Sequence, residues 1–184
     1  MIEGEKKLID DAKAGNQESF SKLYDHYLPA IYRFIYMKVS HRHEAEDLTH
    51  EVFVSAWQNI ARYSHKGFPF SSWLYRLARN RVIDHYRVSK PHSDIENLSP
   101  EQISLNPMIE SVIDDGFQFK LVRSAIQKLK PNQQDVLIMK FIEDLSHKEI
   151  AHALKKSEGA IRLIQHRAIQ ELKKILNEKN QYHG

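Results

Sequence analysis

The chain has 184 residues, a net charge of +3, 28% charged and 41% hydrophobic side chains. This composition excludes a disordered polymer and leaves room for one ordinary domain or two small ones. With no cysteine it excludes disulfides, thiolate zinc centres and thiol redox switching. No run approaches the ~20 apolar residues of a bilayer span, and the start, Met1–Lys7, lacks the apolar core of a signal peptide, so a cytoplasmic protein with no membrane contact of its own is expected.

Six glycines, six prolines and scarce β-branched alternation predict an all-α fold. A short helix is expected over Glu5–Ala14, ended by Gly15. A second should cover Ser19–Tyr27, and a third, entered at Pro29, should run from Ala30 to Val39 with Ile31, Phe34, Ile35 and Val39 at helical spacing. The next spans Glu44–Ile60, with Leu48, Val52 and Ala56 on one face. Ala61–Pro69 reads as an exposed loop, and Ser71 as the cap of a helix over Ser72–Arg87. Between Ser89 and Gly116 periodicity disappears into three prolines and scattered polar residues, the pattern of a linker. Helices resume over Gln118–Leu129, Pro131–Ile142, Ser146–Ala153 and Ser157–Leu176. Ser146 and Glu149 form a capping box, and Ser157 caps the last helix.

Charge is unevenly spread. Residues 1–88 carry 13 Lys and Arg against 11 Asp and Glu, residues 89–119 one against six, and residues 120–184 13 against seven. A basic carboxy-terminal module behind an acidic strap suits contact with DNA at one end.

Two short capped helices around a polar turn, Lys155-Lys156-Ser157-Glu158-Gly159, form the pattern of a helix-turn-helix, whose second helix enters the major groove. In that helix Ile161, Ile164 and Ala168 recur on one side, which leaves Arg162, Gln165, His166 and Arg167 at or near the other. Arginine suits guanine edges and phosphates, glutamine can pair with adenine, and Lys155, Lys156 and Ser157 stand beside a helix start that favours phosphate. In the helix over Ser72–Arg87, Leu74, Leu77 and Ala78 form an inward stripe. Trp73, Arg76, Asn80 and Arg87 cluster opposite, an aromatic among cations and amides that suits single-stranded nucleic acid. The preceding loop adds Tyr63, His65, Lys66 and Phe68. Asp47, His50 and Glu51 share a third face, acidic enough to repel DNA and to meet a basic protein surface. His41, His43 and His50 have no familiar zinc spacing, so neither metal nor cofactor is expected. The chain also lacks the nucleophile, phosphate-loop and paired-carboxylate motifs of enzymes. These residues make a reader of DNA the leading expectation and leave its kind open.

The order of these segments resembles the extracytoplasmic-function (ECF) group of bacterial RNA polymerase sigma factors. Residues Glu44–Trp57 resemble its polymerase-binding region, Phe70–Asp84 its promoter-melting segment and Leu145–Arg167 its −35-reading module. The resemblance implies a region 2-like domain over 1–88, a flexible acidic linker over 89–117, a region 4-like domain over 118–176 and a tail over 177–184. It implies that Asp47, His50 and Glu51 bind core RNA polymerase. Trp73, Arg76 and Asn80, with the loop Tyr63–Phe68, would open the −10 element. Arg162, Gln165, His166 and Arg167, beside Lys155, Lys156 and Ser157, would contact the −35 element. Promoter DNA, core RNA polymerase and an anti-sigma factor are the implied partners. The chain departs from the family where Arg76 and Leu77 replace the paired tryptophans of housekeeping sigma factors. Leu163-Ile164 stands where many members have Ser-Arg, and Lys155 replaces a common turn glycine.

Overall fold

A computed structural model describes residues 2–65, 67–88 and 117–181, and every regular element among them is helical. The expected linker, 89–117, lies outside the described residues apart from its last position, as does Lys66.

Helix α1 (Glu5–Lys13) buries Ile9 and Ala12. It ends in a Schellman turn: Gly15, at φ 93°, donates to the Ala12 carbonyl and Asn16 to that of Asp11, a left-handed position that glycine adopts without steric cost. Asn16 then opens α2 (Gln17–Tyr36), its side-chain oxygen accepting from the Ser19 amide at 2.9 Å. The sequence predicts a break at Pro29, yet α2 runs through it. An internal proline costs about 3 kcal/mol. Tyr27, Leu28, Ile31, Tyr32, Phe34 and Ile35 are all buried around it, at roughly 1.5–3 kcal/mol for each large apolar side chain, so packing wins over local preference.

Helix α3 (Arg42–Asn59) starts where the Glu44 carboxylate accepts from the His41 amide. One 3₁₀ turn (Ile60–Arg62) leads out of it, and α4 covers Phe70–Val88. Thus α4 begins before the expected cap, with Ser72 donating its amide to Pro69. Leu23, Ile31 and Phe34 of α2, Val52 and Ala56 of α3, and Phe70, Leu74 and Ala78 of α4 make the first core. Tyr63, expected in an exposed loop, is buried: its ring meets Phe70 edge-on at 5.2 Å and Trp73 at 5.1 Å.

The second module comprises α5 (Phe117–Ile126), α6 (Pro131–Leu137), α7 (His147–Leu154) and α8 (Glu158–Gln181). Helix α6 continues into a wider π turn, Ile138–Ile142, closed by the Glu143 amide on the Ile138 carbonyl. The two modules pack against each other. Ile126, Val136, Ile138, Met139 and Ile150 join the same buried cluster as the first core, while Leu129, Leu137 and Ala168 form a smaller one under α8. Among the described residues no helix is long and apolar enough to cross a membrane.

Six of the eight tyrosines are held above the usual phenol range. Burial is the main cause, reinforced at Tyr27 by its hydrogen bond to Glu5. Tyr63 is pushed up to about 12, by burial and then by the Glu5 carboxylate. An unfolded tyrosine ionises near pH 10, so this stability is fully present below that value and is lost as pH rises through the folded values. Unfolding free energy should therefore fall steeply above pH ~10, with most tyrosinate absorbance appearing together with loss of helical circular dichroism. A single ionisation step near pH 10 with the helices intact would contradict this packing.

Candidate nucleic-acid interface

The helix-turn-helix is built by local capping. The Ser146 amide donates to the Glu149 carboxylate at 2.7 Å, and the Glu149 amide to the Ser146 hydroxyl at 3.2 Å, which satisfies otherwise orphaned donors at the start of α7. At its other end Lys155 takes a left-handed conformation, φ 53°, where many chains place glycine. Ser157 then accepts from the Ala160 amide and opens α8. Ile161 and Ala168 are fully buried, which turns Arg162, Leu163, His166 and Arg167 to the exposed side, beside exposed Lys155, Lys156 and Ser157.

Not every expected reader is presented. The Gln165 amide oxygen is hydrogen-bonded to the His147 ring, so it ties α8 to α7. Arg162 reaches Glu158 one turn back at 3.6 Å, and His166 bonds Gln170. Leu163, 49% exposed, occupies the middle of the face.

On α4, Trp73 is half-buried against Tyr63 and Phe70, while Asn80 is exposed. Trp73 thus presents only part of its ring, and Tyr63 is the floor beneath it. Arg76 is turned away from open solvent. Its guanidinium donates to the carbonyls of His152 at 2.7 Å and Ala153 at 3.4 Å, among the last carbonyls of α7, where a cation is favoured. Phe68 stacks on the His152 ring with centroids 3.8 Å apart, and the Lys148 ammonium lies 5.7 Å from the Phe68 ring centre. His65 is exposed. It lines, with Tyr63, Phe68, Ile2 and Ile9, a mainly apolar cleft of about 750 Å³ between α1 and the loop.

The third face lies on α3. Asp47, His50 and Glu51 are exposed together, and Glu51 pairs loosely with Arg81 at 3.5 Å. Val54, 41% exposed, extends the face by a turn. Val54 is not among the residues expected from the sequence, although its place three residues after Glu51 is a signal for it.

The reading also missed the charged residues that join the modules. Asp135 of α6 lies between Lys38 and Arg79, forming an ion pair with each, the second at 2.8 Å. Glu143, in the turn after the π segment, receives Arg33 through two hydrogen bonds of 2.7 and 2.9 Å and the Tyr75 hydroxyl at 3.1 Å. Arg123 of α5 donates to the Tyr36 and Val39 carbonyls at the end of α2, with its guanidinium 3.9 Å from the Tyr36 ring centre.

Both modules match known protein families. The Sigma-70 region 2 family matches residues 23–91, and the Sigma-70, region 4 family matches residues 125–174. The ECF RNA polymerase sigma factor SigW of Bacillus subtilis is 32% identical over 182 residues, covering 94% of this chain and 97% of that protein. The ECF RNA polymerase sigma factor BldN of Streptomyces coelicolor is 34% identical over 173 residues, covering 92% of this chain and 65% of BldN. In fold, the chain is similar to CnrH, solved in complex with the cytosolic domain of CnrY, with TM-score 0.72, 22% identity and coverage of 95% and 97%. The sigma factor RpoE, solved with the anti-sigma factor NepR from Bartonella quintana, gives TM-score 0.68 at 19% identity and coverage of 87% and 98%.

The capping box yields a direct test of the helix-turn-helix. Ser146→Ala removes the acceptor for the Glu149 amide and should cost about 1 kcal/mol in urea unfolding, whereas Ser146→Asp should retain most of it. Equal stability of Ser146→Ala and the parent would show that the cap does not hold α7.

Proposed function

The chain belongs to the ECF group of RNA polymerase sigma factors, and from that premise we propose that it binds core RNA polymerase in the cytoplasm and directs it to promoters. One observation carries the reading: a helix-turn-helix with Arg162, His166 and Arg167 outward shares a chain with a module that presents acidic and aromatic faces.

In this reading Asp47, His50 and Glu51 meet the clamp helices of the largest polymerase subunit, and exposed Val54 adds apolar contact. Arg162, His166 and Arg167 read or grip the −35 element, and Lys155, Lys156 and Ser157 hold its phosphates. Gln165 positions α8 through its bond to His147. At the −10 element Trp73, Arg76 and Asn80 face the opened strand, with His65, Lys66 and Phe68 on the loop. The cleft beside Tyr63 has the apolar lining that an unstacked base would require. A regulator of the anti-sigma class is the fitting inhibitor, since RpoE is itself held by an anti-sigma factor.

Energetics explain why polymerase is needed. Opening duplex DNA costs about 1.4 kcal/mol per base-pair step, and extruding a base costs a few more. Stacking returns roughly 1–3 kcal/mol per base, and the chain offers few such surfaces. Melting therefore requires the enlarged contact of the polymerase complex.

Run-off transcription on promoter fragments from the organism that encodes the chain tests this. Core polymerase plus the chain should give transcripts of defined length, and the chain alone should open no DNA. Asp47→Lys with Glu51→Lys should weaken polymerase binding by about tenfold or more. Arg162→Ala with Arg167→Ala should leave that binding intact and lower transcription by about tenfold or more. Stable association without initiation would indicate an adaptor, and no association a conventional regulator; either result overturns the reading.

A further inference from the structure

We propose that Leu163 is a specificity-determining residue of α8, which selects one thymine of the −35 element through its C5-methyl group. The proposal rests on the promoter reading above and names a base that this face of the helix chooses.

The position of Leu163 follows from the helix itself. At about 100° per residue, Gly159, Leu163, His166 and Gln170 fall opposite the buried Ile161 and Ala168, and all four are exposed. Arg162 and Arg167 stand on the two margins of that strip, exposed as well. Ile164 packs inward against the core and adds nothing to the strip, while the His166 ring is bonded to the Gln170 amide at 3.0 Å. One turn before Leu163, a Cβ on Gly159 would meet nothing within 4 Å. No packing demand inside the chain therefore calls for glycine there, although glycine weakens a helix relative to alanine. Its bare backbone allows close approach to a ligand. The isobutyl group of Leu163 is thus the first side chain on the centre line of the face.

Chemistry then selects the base. A recognition helix enters the major groove with its N-terminal residues at the base edges, and Leu163 lies in the second turn of α8. Its side chain, 49% exposed, has no polar atom to offer those edges. Guanine, adenine and cytosine present donors and acceptors in the groove, whereas thymine also carries an apolar group, its C5-methyl. Against a polar edge the isobutyl group displaces water and returns no hydrogen bond, which is penalised. Against the methyl it removes apolar surface from water, which is favoured. The margins fit this placement, since Arg162 and Arg167 suit phosphates or guanine edges on either side. A single exposed leucine elsewhere on a surface needs no explanation; at the centre of a groove-entering face it decides which base edge can be dried.

The test uses the full chain with core polymerase and a promoter fragment that the pair transcribes, randomised across the −35 element. Bound duplexes are sequenced for the parent, Leu163→Ser and Leu163→Met. The parent should enrich one position for thymine on one strand. Leu163→Ser should lose that preference and keep the others, and Leu163→Met, still apolar, should retain it. On the enriched duplex, deoxyuridine in place of that thymine removes the methyl alone. It should weaken binding by the parent and Leu163→Met about three- to fivefold and leave binding by Leu163→Ser unchanged. Equal sensitivity of the parent and Leu163→Ser to deoxyuridine, or no sensitivity at any enriched thymine, overturns the assignment while the promoter reading stands. Unaltered sequence preference in Leu163→Ser, with weaker association with core polymerase in the absence of DNA, also overturns it and makes Leu163 a polymerase contact. Failure of the parent to transcribe any fragment rejects the promoter reading, and the assignment with it.

Discussion

Asp135 occupies an interior position that a carboxylate tolerates only in company. Its side chain is 1% exposed and that of Lys38, its partner, 3% exposed. Taking either charge from water alone costs several kcal/mol, and their attraction offsets this only where geometry and further hydrogen bonds are good. Arg79 supplies the second partner, and Asn132 accepts from the same guanidinium at 3.1 Å. Such a cluster adds little to stability compared with an apolar core of equal volume. Its geometry is specific: Lys38, just past the end of α2, and Arg79 on α4 converge on the one carboxylate of α6.

From that register the remaining contacts follow. With α6 fixed, the widened π turn brings Glu143 to Arg33 and Tyr75, and α7 lies across α4 with its last carbonyls over Arg76. The apolar cluster becomes continuous from Phe34 to Ile150. Exposure divides along the same line. The outer side of α8 and the acidic face of α3 are exposed, whereas Arg76 of α4 and Phe68 of its preceding loop lie at the junction.

The elements decided by nearby residues were legible in the sequence. Ser146 with Glu149 and the turn ending at Ser157 located the helix-turn-helix, and the stripe of Leu48, Val52 and Ala56 located α3. Pro29 misled because the burial of Tyr27, Ile31 and Phe34 overrides a local penalty that acts in the opposite direction. Tyr63 misled because polar neighbours and Gly67 suggested a loop, while its ring closes the core against Phe70. Gln165 was expected to face DNA because helical spacing gives direction only; its tie to His147 depends on where α7 lies. The junction was hardest to see. Lys38 and Asp135 are 97 residues apart, and the trace visible beforehand was an acid next to the apolar run Val136-Leu137-Ile138-Met139.

The two modules form one closed body, a property that small-angle X-ray scattering of the purified protein at low concentration can measure. A closed particle of 184 residues should have a radius of gyration close to the globular value of about 16 Å and a single-peaked distribution of interatomic distances. A markedly larger radius with a two-lobed distribution, independent of salt, would show two separate modules and rule out the closed body.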